Sequence, residues 1–302
     1  MTLKFSIVTP AYNSERYIRD TIESVIKQKG DFRIEYIVLD NHSTDKTCSI
    51  VREYQELLAQ GKVAVGCHEV QIYLISEHDS GMYDAIKNGF SHANGDVFAW
   101  INSDDIYLPG AFEVIRQSLE AYPEIKWIKG ITSYINKNST IYAVGDCGLY
   151  YQDWINEGLY GTTLNFIQQD SVFWRADLWR TSGGVNSKLT LAGDYFLWRS
   201  FAESTPLYSL NAYVSCFRKT DNQKSADMRS YWREIRSTSV LDDRRSSRIR
   251  RKLVLVDALP RFLRPLCYRF AFGKHKYHLI TLEGGVTPRL RTGNYFQLKE
   301  MT

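Results

Sequence analysis

Short apolar runs alternate with longer amphipathic segments through the first half of the 302-residue chain. The runs rich in β-branched residues predict strands at 5–9, 34–39, 72–75 and 97–101. The segments with helical spacing of apolar residues predict helices at 14–28, 45–58 and 83–92. Strands and helices that alternate in this way are typical of a parallel sheet wrapped by crossover helices. We therefore predict an α/β fold in which a Rossmann-like, mostly parallel sheet is flanked by helices.

Polar side chains follow each predicted strand, at 9–13, 40–45, 77–84 and 102–105. Because ligands bind outside the carboxyl ends of parallel strands, we expect these clusters to share one crevice. The last cluster holds two adjacent carboxylates, Asp104 and Asp105, which repel each other unless a cation or hydrogen-bond donors stabilise them. Mg²⁺ and Mn²⁺ prefer such oxygen ligands. The alternative is that these two residues and Ser103 cap a helix that begins near 108–109.

The pattern changes after residue 122, where an aromatic-rich segment precedes a predicted strand at 171–174 and a helix after Asp194. Its Tyr and Trp residues can be core packing, or a minority of them can line a cleft that binds sugar faces. From residue 227 onward the chain is predicted to be helical and Arg-rich. We expect one domain over 1–225 and a helical extension over 226–302.

Positive charge is concentrated in this extension, although the net charge of the whole chain is only +4. Between 244 and 276 the one acid, Asp257, is outnumbered by Arg244, Arg245, Arg248, Arg250, Arg251, Lys252, Arg261, Arg264, Arg269, Lys274 and Lys276. A basic helix with an apolar face can lie on an anionic membrane surface. It can equally pack on the rest of the chain or on another subunit, with its Arg residues solvated. Nucleic-acid binding is not expected, because no recognisable motif accompanies the charge.

Missing patterns exclude several classes of protein. The five cysteines are odd in number and widely spaced, which disfavours a disulfide framework or a zinc site and favours a reducing cytosol. The chain has neither a long uncharged apolar run nor a signal pattern, so we expect a protein that is not secreted. The first strand is followed by Thr9-Pro10-Ala11-Tyr12-Asn13 and not by GxGxxG, and no GxxxxGK[ST] occurs. Dehydrogenases and P-loop kinases are therefore disfavoured.

Five short motifs together resemble one known family. In chain order they are VTPAYN (8–13), VLDNHSTD (38–45), EHDSGMYDAI (77–86), NSDD (102–105) and GDY (193–195). Their order is similar to that in the family 2 inverting glycosyltransferases, which have the nucleotide-diphospho-sugar transferase fold of GT-A type. Two of the residues also suit a nucleoside on chemical grounds, because Tyr12 can stack on a base and Asp40 can accept a hydrogen bond from a ring N–H.

The resemblance implies a nucleotide-sugar site at the first four motifs. Its donor-binding residues would be Thr9, Pro10, Ala11, Tyr12, Asn13, Asp40, Asp79, Gly81, Asp84 and Asp104. Asp40 would face the base and Asp104 the ribose or sugar, while Asp105 would ligate the Mn²⁺ or Mg²⁺ that bridges the diphosphate. The family often has a further acid where Ser103 stands. Asp79 and Asp84 can instead cap the following helix.

The resemblance also implies that Asp194 is the base that takes a proton from the acceptor hydroxyl. The alternative is an ordinary helix N-cap. Family members usually carry an acid where Gly193 stands, so acceptor contacts at that position differ here. Further candidates for acceptor or phosphate contacts are Gln169, Asp170 and Arg218, although Asp170 and Arg218 can equally be surface residues.

The resemblance implies a metal-dependent transfer of a sugar with inversion. The donor would be a nucleoside-diphosphate sugar, and uridine is the expected nucleoside. The acceptor would be a hydroxyl of a glycan or a lipid-linked saccharide in surface polysaccharide synthesis. The alternatives are a sugar-nucleotide nucleotidyltransferase and a non-catalytic nucleotide-sugar-binding scaffold. We expect a cytoplasmic protein, peripheral at the inner face of a membrane if the basic extension binds lipid, and the oligomeric state is left open.

Overall fold

The structure is a computed structural model that describes residues 2–220, 227–238, 243–260, 262–273 and 275–302. The strands are β1 (Leu3–Ala11), β2 (Phe32–Asp40), β3 (Glu69–Ser76), β4 (Val97–Trp100), β5 (Ile106–Tyr107), β6 (Trp127–Ile135), β7 (Ile141–Val144), β8 (Val172–Arg175), β9 (Tyr208–Arg218), β10 (Tyr277–Glu283) and β11 (Thr287–Gly293). The helices are α1 (Ile18–Ile26), α2 (Thr47–Ala59), α3 (Met82–His92), α4 (Ala111–Ala121), α5 (Gln152–Asn156), α6 (Ala176–Ser182), α7 (Gly193–Ser204), α8 (Met228–Thr238), α9 (Asp243–Asp257), α10 (Arg264–Phe272) and α11 (Tyr295–Lys299). A short 3-10 turn spans Gln169–Ser171.

The central sheet has the strand order β11-β10-β9-β6-β8-β4-β1-β2-β3. Its four N-terminal strands are all parallel, with β4, β1, β2 and β3 side by side. Their carboxyl ends therefore lie along one edge, as the sequence predicts for an α/β fold, and the prediction of these strands and of α1 to α3 is confirmed. Beyond β4 the sheet is mixed, because β8 runs antiparallel to both β4 and β6.

Alternate residues of the parallel strands feed two separate cores. On β2, Tyr36 and Val38 point into one core and Ile37 and Leu39 into the other. Helices α1, α2 and α4 cover the first core, and helices α3, α6 and α7 cover the second. This alternation explains why β1, β2 and β4 are buried at successive residues along most of their length, since both faces of that part of the sheet are covered.

The C-terminal extension is not helical throughout, which corrects the prediction for 226–302. β10 and β11 form a hairpin that joins the central sheet through β9. Tyr277 and Leu279 alternate as buried residues, and Gly284 and Gly285 take positive φ angles of 61° and 80° in the turn. The predicted domain boundary between 225 and 226, and the basic residues Arg261 and Lys274, lie outside the described residues.

Among the helices in the described part of the chain, none is long and apolar enough to cross a lipid bilayer.

Candidate active site

The end of β1 presents Tyr12 at the carboxyl edge of the sheet. Tyr12 is 61% exposed, and Asn13 beside it takes a left-handed φ of 47° while its Oδ1 accepts a hydrogen bond from the backbone N–H of Thr44. Pro10 and Ala11 pair with the last residues of β2 and so set the spacing of the two strand ends. The side chain of Thr9 is fully buried, and its Oγ1 accepts a 3.0 Å hydrogen bond from the hydroxyl of Tyr36. The Thr9 side chain is therefore engaged inside the protein, and the expected contact of this residue with a nucleoside stays a prediction.

Asp40, the last residue of β2, is 1% exposed and has one oxygen available for a ligand. Its Oδ2 accepts hydrogen bonds from Ser76 Oγ at 2.7 Å, from Cys48 Sγ at 2.9 Å and from Ser43 N at 3.1 Å. Its Oδ1 is buried and has no hydrogen-bond partner among the described residues. Burial acts to raise the pKa of Asp40, but the three hydrogen bonds outweigh it and the pKa lies below its usual value. The carboxylate is therefore charged and keeps one acceptor atom for a donor group.

A cleft of about 330 Å³ opens between Asp40 and α3. Its walls are strongly acidic, since they include Asp40, Glu77, Asp79 and Asp84, together with Lys87. The walls would therefore repel a bare diphosphate, which makes a cation a natural partner for any phosphorylated ligand here.

Two acidic side chains, Asp79 and Asp84, accept hydrogen bonds from backbone N–H groups at the start of α3. Asp79 Oδ1 accepts a hydrogen bond from Gly81 N at 2.9 Å, and Asp84 Oδ2 accepts one from Ser80 N at 3.0 Å. Gly81 is the N-cap residue of α3 and takes a φ of 135°, a conformation that favours glycine. The expectation that both acids cap the helix is met only in an indirect form, because they bind the N–H groups of Gly81 and Ser80 and not those of the first helical turn.

The two carboxylates after β4 have different environments. Asp105 is fully buried, and its Oδ1 accepts a 2.7 Å hydrogen bond from Arg218 N while its Oδ2 accepts one from Asn102. Its pKa lies well above the usual value because it is buried and because Asp104 and Asp170 carry like charge. Asp104 is partly exposed at the crevice. Asp104 is thus the more accessible member of the pair, and the expectation that Asp105 ligates the metal stays a prediction.

Helix capping by this pair is wrong. Strand β5 follows Asp105 directly, and Gly110 is the N-cap residue of α4. Within the described residues no three His, Cys, Asp or Glu side chains converge to hold a metal. Asn102 Oδ1, next to the pair, is buried without a hydrogen-bond partner in that same part of the chain. The partly exposed carboxylate of Asp104, with the buried oxygens of Asn102 and Asp105 beside it, fits a hard cation whose remaining ligands come from phosphate and water.

Two of the expected acceptor or phosphate contacts lie beneath the crevice. Arg218 is fully buried, its Nε donates to the carbonyl of Asp104 at 2.7 Å, and its guanidinium stacks 4.4 Å from the ring centre of Tyr17. Asp170 is 2% exposed and accepts a hydrogen bond from Ser215. The surface alternatives for both are therefore wrong. Gln169 is partly exposed and donates to the carbonyl of Trp100 at the end of β4.

Asp194 lies inside α7, not at its cap. Ala192 is the N-cap residue, and Asp194 Oδ1 accepts hydrogen bonds from Tyr195 N at 2.8 Å and from the hydroxyl of Tyr83 at 3.4 Å. Burial raises the pKa of Asp194 to about 6. A Cβ at Gly193 would lie 2.7 Å from the Tyr83 ring, so glycine is required there for Tyr83 to reach Asp194.

A residue without any signal in the sequence, Glu234 of α8, organises the loop before Asp194. Its carboxylate accepts hydrogen bonds from the backbone N–H groups of Thr190, Leu191 and Ala192 at 2.7, 2.8 and 2.7 Å. Its charge also contributes to the raised pKa of Asp194. Aromatic side chains line a narrow pocket of about 10 Å³ beside Asp194, and these are Tyr160, Phe166, Tyr195, Trp198 and Tyr231.

The family model for glycosyl transferase family 2 matches residues 6–173, more than half of the chain. The chain belongs to glycosyltransferase family 2. The resemblance seen in the motifs is thereby confirmed, and the nucleotidyltransferase alternative is disfavoured. An uncharacterized glycosyltransferase of Rickettsia typhi is 25% identical over 206 residues, which are 67% of this chain and 60% of the relative. The chain thus spans less than two thirds of the length of that relative.

Two solved structures share the fold of this chain. The crystal structure of Staphylococcus aureus TarS 1-349 in complex with UDP-GlcNAc superposes with a TM-score of 0.58 at 16% identity, covering 90% of this chain and 80% of TarS. The mannosyltransferase PcManGT of Pyrobaculum calidifontis, in complex with GDP-Man and Mn²⁺, gives a TM-score of 0.52 at 17% identity, covering 90% and 70%. The predicted α/β fold of GT-A type is confirmed by these similarities.

Proposed function

We propose that this glycosyltransferase moves a sugar from UDP to a hydroxyl of a glycan or lipid-linked saccharide in surface polysaccharide synthesis, with inversion and with a divalent metal. The observation that carries the proposal is the Asp194 carboxyl, whose pKa is raised to about 6 beside an aromatic pocket. A base with a pKa just below neutral is largely deprotonated at physiological pH and still accepts a proton efficiently. One base of this kind suits a single displacement at the anomeric carbon.

The donor nucleoside is assigned to the Asp40 end of the cleft. Asp40 Oδ1, charged and unpartnered among the described residues, can accept a hydrogen bond from the ring N–H of uracil, and the exposed ring of Tyr12 can stack on the base. Guanine also offers a ring N–H, whereas cytosine offers only an exocyclic amine. UDP-GlcNAc in the TarS structure supports uridine as the first choice.

Asp104 is the accessible group that would hold the cation near the diphosphate, and Asn102 Oδ1 and the Asp105 carboxyl are the buried oxygens beside it. When bound, a divalent ion neutralises charge on the departing nucleoside diphosphate. Asp105 and Arg218 fix the strand-end loop from behind, because Arg218 donates to the Asp104 carbonyl and Asp105 accepts from the Arg218 N–H. The Mn²⁺ in the PcManGT structure supports a metal of this class.

Calorimetric titration with UDP, GDP and CDP tests this proposal without knowledge of the acceptor. We expect UDP to bind most tightly in Mn²⁺ and to lose most of its affinity in EDTA, because the acidic cleft repels the bare diphosphate. Slow release of UDP from a UDP-sugar, with water as acceptor, would then separate an enzyme from a non-catalytic scaffold. Tight UDP binding that is indifferent to EDTA would contradict the metal, and failure of all three nucleotides would contradict the donor site.

Replacement of Glu234 by Gln is expected to shift the acid limb of the pH profile of kcat/KM to lower pH. Asp194 acts when deprotonated, so activity should rise as pH increases through its pKa of about 6. Burial is the main cause of that raised pKa, and the nearby Glu234 carboxylate adds to it, so its removal lowers the pKa. The matched control is Glu203→Gln, because Glu203 is an exposed acid on α7, the helix that carries Asp194. An unchanged acid limb in Glu234→Gln would show that the limb belongs to another group.

A further inference from the structure

Helix α9 and the segment around α10 expose a group of large apolar side chains. These are Val254, Leu255, Phe262, Leu266 and Phe270, whose exposed fractions are 61, 68, 80, 55 and 83%. The opposite sides of the two helices already pack on the protein, through Ile249 and Val256 on α9 and through Tyr268 and Phe272 on α10. The outward apolar groups are therefore additional to those that fold the extension, and such clustering marks an interaction surface.

Arginines occupy the same outward face of α9. Arg244, Arg248, Arg251 and Leu255 follow one another at intervals of four, three and four residues, which places them in one stripe of the helix. All four are exposed, whereas Ile249 between them is 8% exposed and faces the protein. We name this stripe, together with Val254 and the exposed Phe262, Leu266 and Phe270, the docking face.

Helix α9, which carries part of the docking face, contacts the region of the pocket beside Asp194. Arg245 of α9 forms a 2.5 Å ion pair with Glu157, which directly follows α5. Ile155 of α5 lines the aromatic pocket that contains Asp194. Lys252 Nζ donates to the Ala271 carbonyl at 3.1 Å and so joins α9 to α10. The helix that carries the docking face is thus joined, through Arg245 and Glu157, to the helix that lines the pocket beside the candidate base.

We propose that the docking face binds the surface of an anionic lipid bilayer. Arginines satisfy anionic headgroups while Phe, Leu and Val side chains enter the boundary with the acyl chains, a combination that defines an interfacial helix. A second copy of this chain is a poorer partner, because it would bring one Arg stripe against another. RNA is also a poorer partner, because it would leave the aliphatic side chains exposed. That the bilayer presents a lipid-linked acceptor rests on the proposed function, whereas bilayer binding itself does not.

Flotation of the full chain with phosphatidylcholine vesicles, prepared with and without phosphatidylglycerol, tests the proposal. We expect binding only to the anionic vesicles, and weaker binding as salt rises. The double variant Arg248→Gln/Arg251→Gln should bind about 25-fold more weakly, at about fivefold for each cation. Its control, Lys62→Gln/Lys188→Gln, removes two exposed cations elsewhere and should bind like the wild type.

A second pair of variants tests the apolar contribution. Phe262→Ser/Phe270→Ser should lose binding, whereas Ile141→Ser/Val144→Ser, at side chains 51 and 60% exposed on β7, should keep it. Three results with the wild-type chain would overturn the proposal. They are no binding to anionic vesicles, equal binding to neutral and anionic vesicles, and preferential binding to an RNA homopolymer. A concentration-dependent dimer that loses its contact in the Phe variants would overturn it as well. UDP titration of the same samples is independent of these results, so failure of membrane binding and failure of the donor site are distinguishable.

Discussion

Asp194→Asn is expected to lower turnover by about 10³-fold, within the range that a general base contributes. The amide is nearly the same size and can still accept the hydrogen bonds from Tyr195 N and Tyr83, so α7 should keep its position. It cannot take a proton from an acceptor hydroxyl. Release of UDP from the donor measures the loss, and calorimetry should show UDP affinity close to that of the wild type.

Asp177→Asn is the matched control for that variant. Asp177 is also the second residue of its helix, α6, but it lies on the surface and pairs with Lys126. Turnover of the control should equal that of the wild type. Wild-type turnover in Asp194→Asn itself would mean that another group is the base, and loss of UDP binding would mean that the substitution disturbs the donor site.

Asp104→Asn is expected to weaken metal-dependent UDP binding by about 10–100-fold, the cost usual for groups that hold a metal in place. Asp105→Ala should act on stability instead, because it leaves the buried N–H of Arg218 without its acceptor and lowers the free energy of unfolding by about 1–3 kcal/mol. Titration of UDP in Mn²⁺ and in EDTA measures the first effect, and chemical denaturation measures the second.

The neutral variant Asp105→Asn further separates a role in metal binding from a role in folding stability. Its side-chain oxygen can still accept from Arg218 N, so both stability and donor binding should stay near the wild-type values. If Asp105→Asn lost the metal dependence and Asp104→Asn retained it, the buried residue would be the ligand after all. The crevice would then have to open by a rearrangement of Arg218.

The periodicity of apolar residues was enough to predict the parallel half of the sheet, because both faces of β1, β2 and β4 are buried. It could not tell which of Asp104 and Asp105 has the exposed side chain. The two residues are adjacent in one motif, and their exposure depends on the conformation of the loop. Glu234 could not be predicted either, because it meets Thr190 and Ala192 only through tertiary packing. The hairpin of β10 and β11 did carry a signal, the Gly284-Gly285 turn between alternating residues, but the Arg-rich helices before it dominated the pattern.

β11 forms one rim of the central sheet and, among the described strands, pairs with β10 alone. A rim strand offers unpaired backbone groups on which other chains can assemble into aggregates. Pro288 lacks an N–H to offer, and the exposed Arg289 and Arg291 place charge along the strand, partly balanced by Glu283. Tyr122 also occupies this edge, because its hydroxyl accepts from Leu290 N at 2.9 Å and donates to the Pro288 carbonyl at 3.3 Å. The outermost described strand is therefore protected against edge-to-edge association by proline, by charge and by a tyrosine of α4's C-terminal end.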